Sequence, residues 1–356
     1  MNHFYIKTQN ELNDLVISIR ECGVVVLDTE FTRRVTYYPV LSLVQIAIEG
    51  KNDKKELFII DALSGFDLRE FFEIIGDEKI LKILHASKQD LQIFHKESGI
   101  RPSNIADTQI MANLANLKYN SGYSYLVDRF CGIELDKGEQ NSDWQRRPLS
   151  ESQINYALLD VEYLYGVYQE LKGSLEEMNR VTWLDQEMEI FIEGNLSPDS
   201  ESLFKKFSFK GRGFREIEIL KRLILHREEC AKENDVPRRH FLRDEHLDKM
   251  IKGSKVPRKL SEKEKEEFEK ILISDVEEKK QVGISADSKE ISAKKAIHKK
   301  AKRLIEKKAT DFNVAANILL SAQQLKLLVE KRRDFSDVVF GWRYEIFGSE
   351  LKEILE

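Results

Sequence analysis

The chain has 356 residues, with 57 Lys and Arg against 62 Asp and Glu for a net charge of -5. That length suits two or three domains, and a 41% hydrophobic content is ample for their cores. No apolar run reaches the roughly 20 residues of a membrane span. The opening MNHFYIKTQNEL lacks the basic, apolar and small-residue regions of a secretory leader. Three cysteines (Cys22, Cys131 and Cys230), without CxxC spacing, indicate neither a disulfide framework nor a zinc site. A reducing cytoplasm is the expected compartment. The charge is unevenly spread: residues 1–200 sum to -13 and residues 201–356 to +8. A basic second half can attract a polyanion while an acidic first half holds cations, although two solvated surfaces would look the same.

In chain order, GVVVLDTEF, LSLVQIAI and ELFIIDAL read as three β-branched strands, with a polar turn at Gly50 to Lys55. They predict an antiparallel meander. A helix (DLREFFEIIG), a short strand (KILKILHA) and a helix opening at Ser87 follow, with Ser87 as N-cap. Ile105 to Thr108 predicts another short strand, before helices QIMANLANL and SYLVDRFCG. One long helix is expected from Glu151 to Glu177, capped by Ser150. Strands followed by alternating helix and strand indicate an α/β domain with a mixed sheet. From about residue 200 the sequence turns into Lys/Glu/Leu-rich helices. REIEILKRLILHREECAKEND ends at Pro237, and Ile273 to Ile291 is a polar connection. AIHKKAKRLIEKKA through GWRYEIFG is helical again.

Asp28 and Glu30 are two apart on a predicted strand, so their carboxylates share a face at its C-terminal end. They repel unless a cation separates them, but a D-x-E pair alone is common surface decoration. Tyr156 and Asp160 are i and i+4 on a helix and also share a face. Asp90 falls in the first turns of a helix, where the macrodipole alone would favour an acid.

Their order is what carries meaning: strand D-x-E, then H-A-S-x-x-D, then Y-A-x-x-D on a helix. This resembles the three motifs of the DEDD exonuclease superfamily, in the subgroup with tyrosine in the third motif, and within it the ribonuclease D family. The likeness extends through DTEFTRRVTYYPVLSLVQIA, LHASKQDL, ADTQIMA and LDKGEQNSDWQRRPLSESQINYALLDVEYL, covering roughly residues 20–175. The resemblance implies an α/β ribonuclease-H-like exonuclease domain with a mixed sheet, followed by all-α helical domains. It implies metal-dependent hydrolysis from the 3′ end, releasing 5′-mononucleotides. Two divalent metal ions, Mg²⁺ or Mn²⁺, would be the cofactors. Asp28, Glu30 and Asp160 would bind the first metal, Asp28 would also touch the second, and Asp90 would hold the second. Tyr156 would orient the attacking water and help to deprotonate it. Mg²⁺ favours oxygen ligands, and phosphoryl transfer needs positioning and charge neutralisation rather than an enzyme nucleophile.

Around this set, Thr29, Phe31, His85, Lys137 and Arg147 are candidate substrate contacts. Phe31 is either core or a stacking platform for the terminal base. His85 either meets the scissile phosphate or supports its neighbours. Lys137 and Arg147, in the loop before the catalytic helix, can neutralise backbone phosphates. Gln45 is expected to be a structural hydrogen-bonder, and Trp144 an anchor of that loop.

In the second half, LHREECAKENDVPRRHFLRDEHLDKMI resembles the HRDC domain shared by RecQ-type helicases and ribonuclease D. The signs are the Arg227-Glu228 pair, Val236-Pro237 and an L-x-D-E-x-L phrase. The final helices resemble a second, diverged copy. The expected division is 1–195 exonuclease, 196–275 HRDC-like and 285–356 second HRDC-like. Lys252 to Lys259 and Lys294 to Lys308 are the cationic clusters, and few aromatics interleave with them, so backbone-driven RNA binding is expected. The implied partners are RNA 3′ ends, tRNA precursors first. The rivals are a proofreading- or repair-type DNA exonuclease and an RNA-binding protein without catalysis. The flanking motifs speak against the first, and the presence of all five site residues against the second.

Overall fold

The computed structural model describes residues 3–50, 54–136, 138–196, 201–204, 207–275 and 288–356. Two compact units emerge. One takes residues 3–30, 42–196 and 288–356, and the other takes 31–41 and 201–275. This differs from the division expected above, which set 285–356 apart.

The first unit is built on a six-stranded sheet. Its strands are β1 (His3–Ile6), β2 (Val24–Thr32), β3 (Val40–Gly50), β4 (Lys54–Asp61), β5 (Leu81–Leu84) and β6 (Ile105–Asp107), in the order β1-β4-β3-β2-β5-β6. β3 and β4 are antiparallel, pairing Leu43 with Asp61 and Gly50 with Lys54. β1 pairs with β4, β5 with β2 and β6 with β5 in parallel, so the sheet is mixed. The polar turn expected at Gly50 to Lys55 lies partly on residues 51–53, outside the described residues.

Eight helices surround the sheet: α1 (Gln9–Cys22), α2 (Arg69–Gly76), α3 (Lys88–Ser98), α4 (Thr108–Leu114), α5 (Tyr123–Cys131), α6 (Glu151–Glu162), α7 (Leu164–Glu177) and α8 (Val181–Leu196). α1 and β1 were not anticipated. α1 starts with a capping box, in which Glu11 N–H donates to the Thr8 hydroxyl and Glu11 accepts from Thr8 N–H at 2.9 Å. It buries Leu12, Leu15, Val16 and Ile19. α6 opens with the expected cap: Ser150 accepts from Gln153 N–H at 3.1 Å, and Gln153 accepts from Ser150 N–H at 3.0 Å.

The expected single helix Glu151 to Glu177 is instead two, broken at Tyr163. The cause is Tyr123. Its hydroxyl donates to Leu159 O at 3.0 Å and accepts from Tyr163 N–H at 3.2 Å. It therefore sits between the donor and acceptor that an unbroken helix would join directly.

The second unit comprises α9 (Glu201–Phe204), α10 (Phe214–Glu233), α11 (Arg238–Phe241), α12 (Asp244–Ile251) and α13 (Glu262–Ile273), together with the segment after β2. α10 stops before Pro237, at Glu233, and Asp235 takes a left-handed φ of 45°. The Arg227-Glu228 pair is buried, each member with its own partners. Arg227 donates to Leu242 O and Asp244, while Glu228 accepts from the Tyr37 hydroxyl and from Arg238. Asp235 accepts from the backbone N–H groups of Tyr37 and Tyr38. The segment 31–41 is thus an integral part of this unit.

The polar connection expected at Ile273 to Ile291 falls largely on residues 276–287, outside the described residues. The chain then returns to the first unit through α14 (Ser288–Asp311), α15 (Ala316–Leu319), α16 (Ala322–Val329), α17 (Gly341–Arg343) and α18 (Ser349–Leu355). These helices share one apolar core with the sheet and α4 to α7. Trp342, 1% exposed, stacks on Trp183 with ring centroids 4.3 Å apart and donates its indole N–H to Glu187. Arg343 grips Glu187 with two nitrogens. Arg180 donates to Leu114 O, Phe312 O and Asn313 O. A π-helical turn at Tyr344–Gly348 ends on a glycine because a Cβ there would sit 2.3 Å from the Tyr344 ring. Among the described residues no helix is long and apolar enough to cross a membrane.

Candidate active site

β2 carries the first two acids. Its Val25, Val26 and Leu27 are buried on the two faces of the sheet, while Asp28 and Glu30 emerge half-buried at its end. α6 brings Asp160 across from the other side, so one oxygen each of Asp28, Glu30 and Asp160 lie within 4.8 Å of one another. Asp90, in the first turn of α3, is 6% exposed and accepts a hydrogen bond from the Thr29 hydroxyl. Thr29 is thus occupied in orienting an acid.

The electrostatics show how strongly these four carboxyls oppose one another's ionisation. Burial, then the charges of Asp160, Asp90 and Glu30, hold Asp28 well above the usual carboxylate range. Burial and the charges of Asp160 and Asp90 push Glu30 up to about 9. Burial lifts Asp160 to about 7, against the hydrogen bond from Tyr156. Burial lifts Asp90 to about 6, against the hydrogen bond from Thr29. Such a set is costly when ionised without a counter-charge, and its all-oxygen donors suit hard divalent cations. The residues therefore fit the metal ions that the sequence led us to expect.

Tyr156 lies one turn before Asp160 on α6 and hydrogen-bonds to it. Its hydroxyl is raised above its usual value by burial and by the Asp160, Glu30 and Asp28 charges. Trp144, 2% exposed, packs beside the Tyr156 ring with centroids 6.0 Å apart. It anchors the preceding loop and also backs the tyrosine.

The loop between β5 and α3 is held by Asp107, whose role the sequence did not disclose. Its buried carboxylate accepts from Ala86 N–H (3.2 Å), Ser87 N–H (2.7 Å), the Ser87 hydroxyl (2.8 Å) and the N–H groups of Gln109 and Ile110 at the start of α4. Ala86 is pinned at φ +53°, a conformation disfavoured for a residue with a Cβ. Ser87 stands at the N-cap position as expected, but its hydroxyl serves Asp107 and not the helix. His85 Nδ1 meets the Thr108 hydroxyl at 2.8 Å. That hydroxyl also reaches Leu84 O. Burial keeps the ring below its usual pKa, against the Asp107 charge and a hydrogen bond to the Ser121 backbone. The ring packs near Tyr123, at 5.8 Å.

Two expectations need revising. Arg147 is not free for phosphate: all five of its N–H donors are used, two on Asp61 at 2.6 and 2.7 Å and the others on Trp144 O, Arg146 O and Ser42 O. It ties the loop before α6 to the end of β4. Gln45 is fully buried in β3, yet neither amide atom finds a hydrogen-bond partner. Phe31 is half-buried and follows Glu30 directly on β2. Lys137 lies outside the described residues.

A family model for a 3′-5′ exonuclease matches residues 3–176. The chain is 31% identical to ribonuclease D of Bartonella henselae, over 99% of this chain and 89% of that protein. The chain belongs to the ribonuclease D family. Ribonuclease D of Jannaschia sp. is likewise 31% identical, over 93% of this chain and 89% of its own length. The solved structure of Escherichia coli RNase D, described as an exoribonuclease involved in structured RNA processing, superposes with a TM-score of 0.80. It is 27% identical and is matched over 100% of this chain and 99% of that one. The catalytic core of Trypanosoma brucei RRP6 shares the fold, with a TM-score of 0.55 at 20% identity. This ribonuclease D family member is a 3′-5′ exoribonuclease, with a ribonuclease-H-like α/β domain and a helical C-terminal region.

Proposed function

We propose that the chain hydrolyses RNA from the 3′ end with two divalent ions held by Asp28, Glu30, Asp90 and Asp160, releasing 5′-mononucleotides. The observation that carries this reading is the approach of the Asp28, Glu30 and Asp160 oxygens to within 4.8 Å, with Asp90 adding its charge to the same cluster. Bound there, the ions supply Lewis acidity toward the scissile phosphate and its attacking water. Asp28, Glu30 and Asp160 would hold one ion, and Asp28 and Asp90 the other. Thr29 fixes the rotamer of Asp90. The Tyr156 hydroxyl orients the attacking water, and Trp144 keeps its ring in place. Asp107 sets the loop on which His85 and Asp90 stand.

The substrate class follows from charge. An acidic first half attracts RNA poorly unless the basic second half assists. In the second unit, Arg239, Arg243 and Lys259 line one open depression together with His240, His246, Asp244 and Glu245. Its three cations suit phosphate rather than base edges, so binding should weaken with salt and vary little with sequence. Structured RNA 3′ ends, tRNA precursors among them, are the substrates we infer.

Matched RNA and DNA oligonucleotides incubated with Mg²⁺ and with EDTA test this reading. RNA should be shortened stepwise from its 3′ end only with Mg²⁺. Cleavage that persists in EDTA would exclude the metal mechanism, and preferential degradation of DNA would exclude the RNA assignment.

A further inference from the structure

His226 and Cys230 are i and i+4 on α10 and so share a face. Glu267 meets them from α13. His226 Nε2 lies 3.5 Å from Cys230 Sγ and 3.4 Å from Glu267 Oε2, and all three donor atoms fall within 4.8 Å of one another. Thiol and carboxylate thus converge on the same ring nitrogen. A neutral Nε2 offers either one N–H or one lone pair, which cannot serve both partners well. A cation among the three satisfies every lone pair at once. The spacing is also the one such an ion needs: bonds of ~2.0 Å to nitrogen and oxygen and ~2.3 Å to sulfur at tetrahedral angles place the donor atoms roughly 3.3–3.5 Å apart.

The surroundings agree. Cys230 is 3% exposed, and the Phe268 ring packs edge-on against the imidazole at 4.7 Å, fixing its plane. Glu264, Glu233 and Glu229 add negative charge around the thiol, and Asn234 donates to Glu264 at 3.1 Å. Negative charge around the three donors favours a divalent cation among them, and a coordinating thiol is deprotonated outright.

We propose that His226, Cys230 and Glu267 form a binding site for a borderline-soft divalent ion of the zinc class, stapling α10 to α13. On binding, the Cys230 S–H bond breaks, its proton passes to solvent and a sulfur–metal bond forms, with no change of oxidation state. Three protein donors leave a fourth tetrahedral position for water. Spacing among the cysteines could not reveal the site, because only one cysteine takes part.

The test uses the full chain, freed of metal by chelation and titrated with Co²⁺. Expected is a thiolate-to-cobalt charge-transfer band in the near ultraviolet that saturates at one equivalent. Cys230→Ser should abolish it, and the double variant Cys22→Ser, Cys131→Ser should keep it. Co²⁺ held by the Asp28 cluster gives no sulfur band, so the two sites are told apart. Glu267→Gln, at a half-exposed side chain, should weaken the band's midpoint at least ten-fold while leaving melting in chelator unchanged. Absence of the band, its survival in Cys230→Ser or an unaltered midpoint in Glu267→Gln would overturn the proposal. If Cys230→Ser does not fold, the Glu267→Gln titration decides alone.

Discussion

Single residues here are assigned by what their polar atoms have left to offer. Tyr156 has one hydroxyl and places it at Asp160, next to the carboxylate cluster. Tyr156→Phe removes that oxygen and keeps the ring packed on Trp144. Turnover should fall by roughly 10²-fold or more, the scale of a lost proton-handling or orienting group, with RNA affinity in Ca²⁺ or chelator unchanged; single-turnover kinetics beside a filter-binding assay measure both. Arg147 is the opposite case, with no donor to spare. Burial alone would lift Asp61, but hydrogen bonds from Arg147 and Tyr5 outweigh it and hold the carboxyl below its usual range. Arg147→Ala strands a carboxylate that is only 8% exposed and should cost about 2–3 kcal/mol, seen as a lower urea midpoint. RNA affinity per folded molecule should be unchanged.

At the scale of elements, the break between α6 and α7 is imposed from outside the helix. Residues 151–177 contain no proline, and nothing in them announces a hydroxyl arriving from Tyr123. The same non-local logic hid Asp107, which serves α4 as an N-cap and the preceding loop as an anchor. What was legible was local: the D-x-E alternation on β2, the Ser150 capping box, the i,i+4 pair on α6 and the order of the motifs. The T-x-x-E signal of Thr8 and Glu11 was equally local and would have revealed α1. Arg147 was misjudged because a cation in a loop reads as exposed until its carboxylate is found on β4. Tyr123→Phe tests the break directly. It leaves Leu159 O and Tyr163 N–H without their shared partner, or lets them close on each other and rotate the end of α6 beside Asp160. A loss of about 1–2 kcal/mol and a reduced turnover number are expected, measured by denaturant melts and by kinetics at saturating RNA.

At the scale of the molecule, the crowded carboxylates tie stability to pH and to metal. A carboxyl whose pKa folding raises binds more protons in the folded chain than in the unfolded one, so stability falls as pH rises between the two values. The contribution is complete below the unfolded value of about 4. It is lost progressively as pH rises through about 6 for Asp90, 7 for Asp160 and 9 for Glu30. Chelated protein should therefore melt lower at about pH 9 than at about pH 6, and Mg²⁺ should raise the melting temperature most at the higher pH. Asp28→Asn removes one charge from the cluster. It should raise the melting temperature in chelator and abolish the response to Mg²⁺; scanning fluorimetry across pH reads both.

The order in which the ribosome makes these pieces gives the interleaved core a further meaning. β1 to α8 are synthesised first, yet Trp183 and Glu187 on α8 wait for Trp342 and Arg343, more than 150 residues downstream. In the interval the helices of the second unit are produced, as local helices that close quickly. The nuclease core is completed late in translation. A nascent chain cut short before Trp342 lacks the ring that stacks on Trp183 and the partners of Glu187. Late closure thereby makes the clamp on α8 wait for residues more than 150 positions downstream.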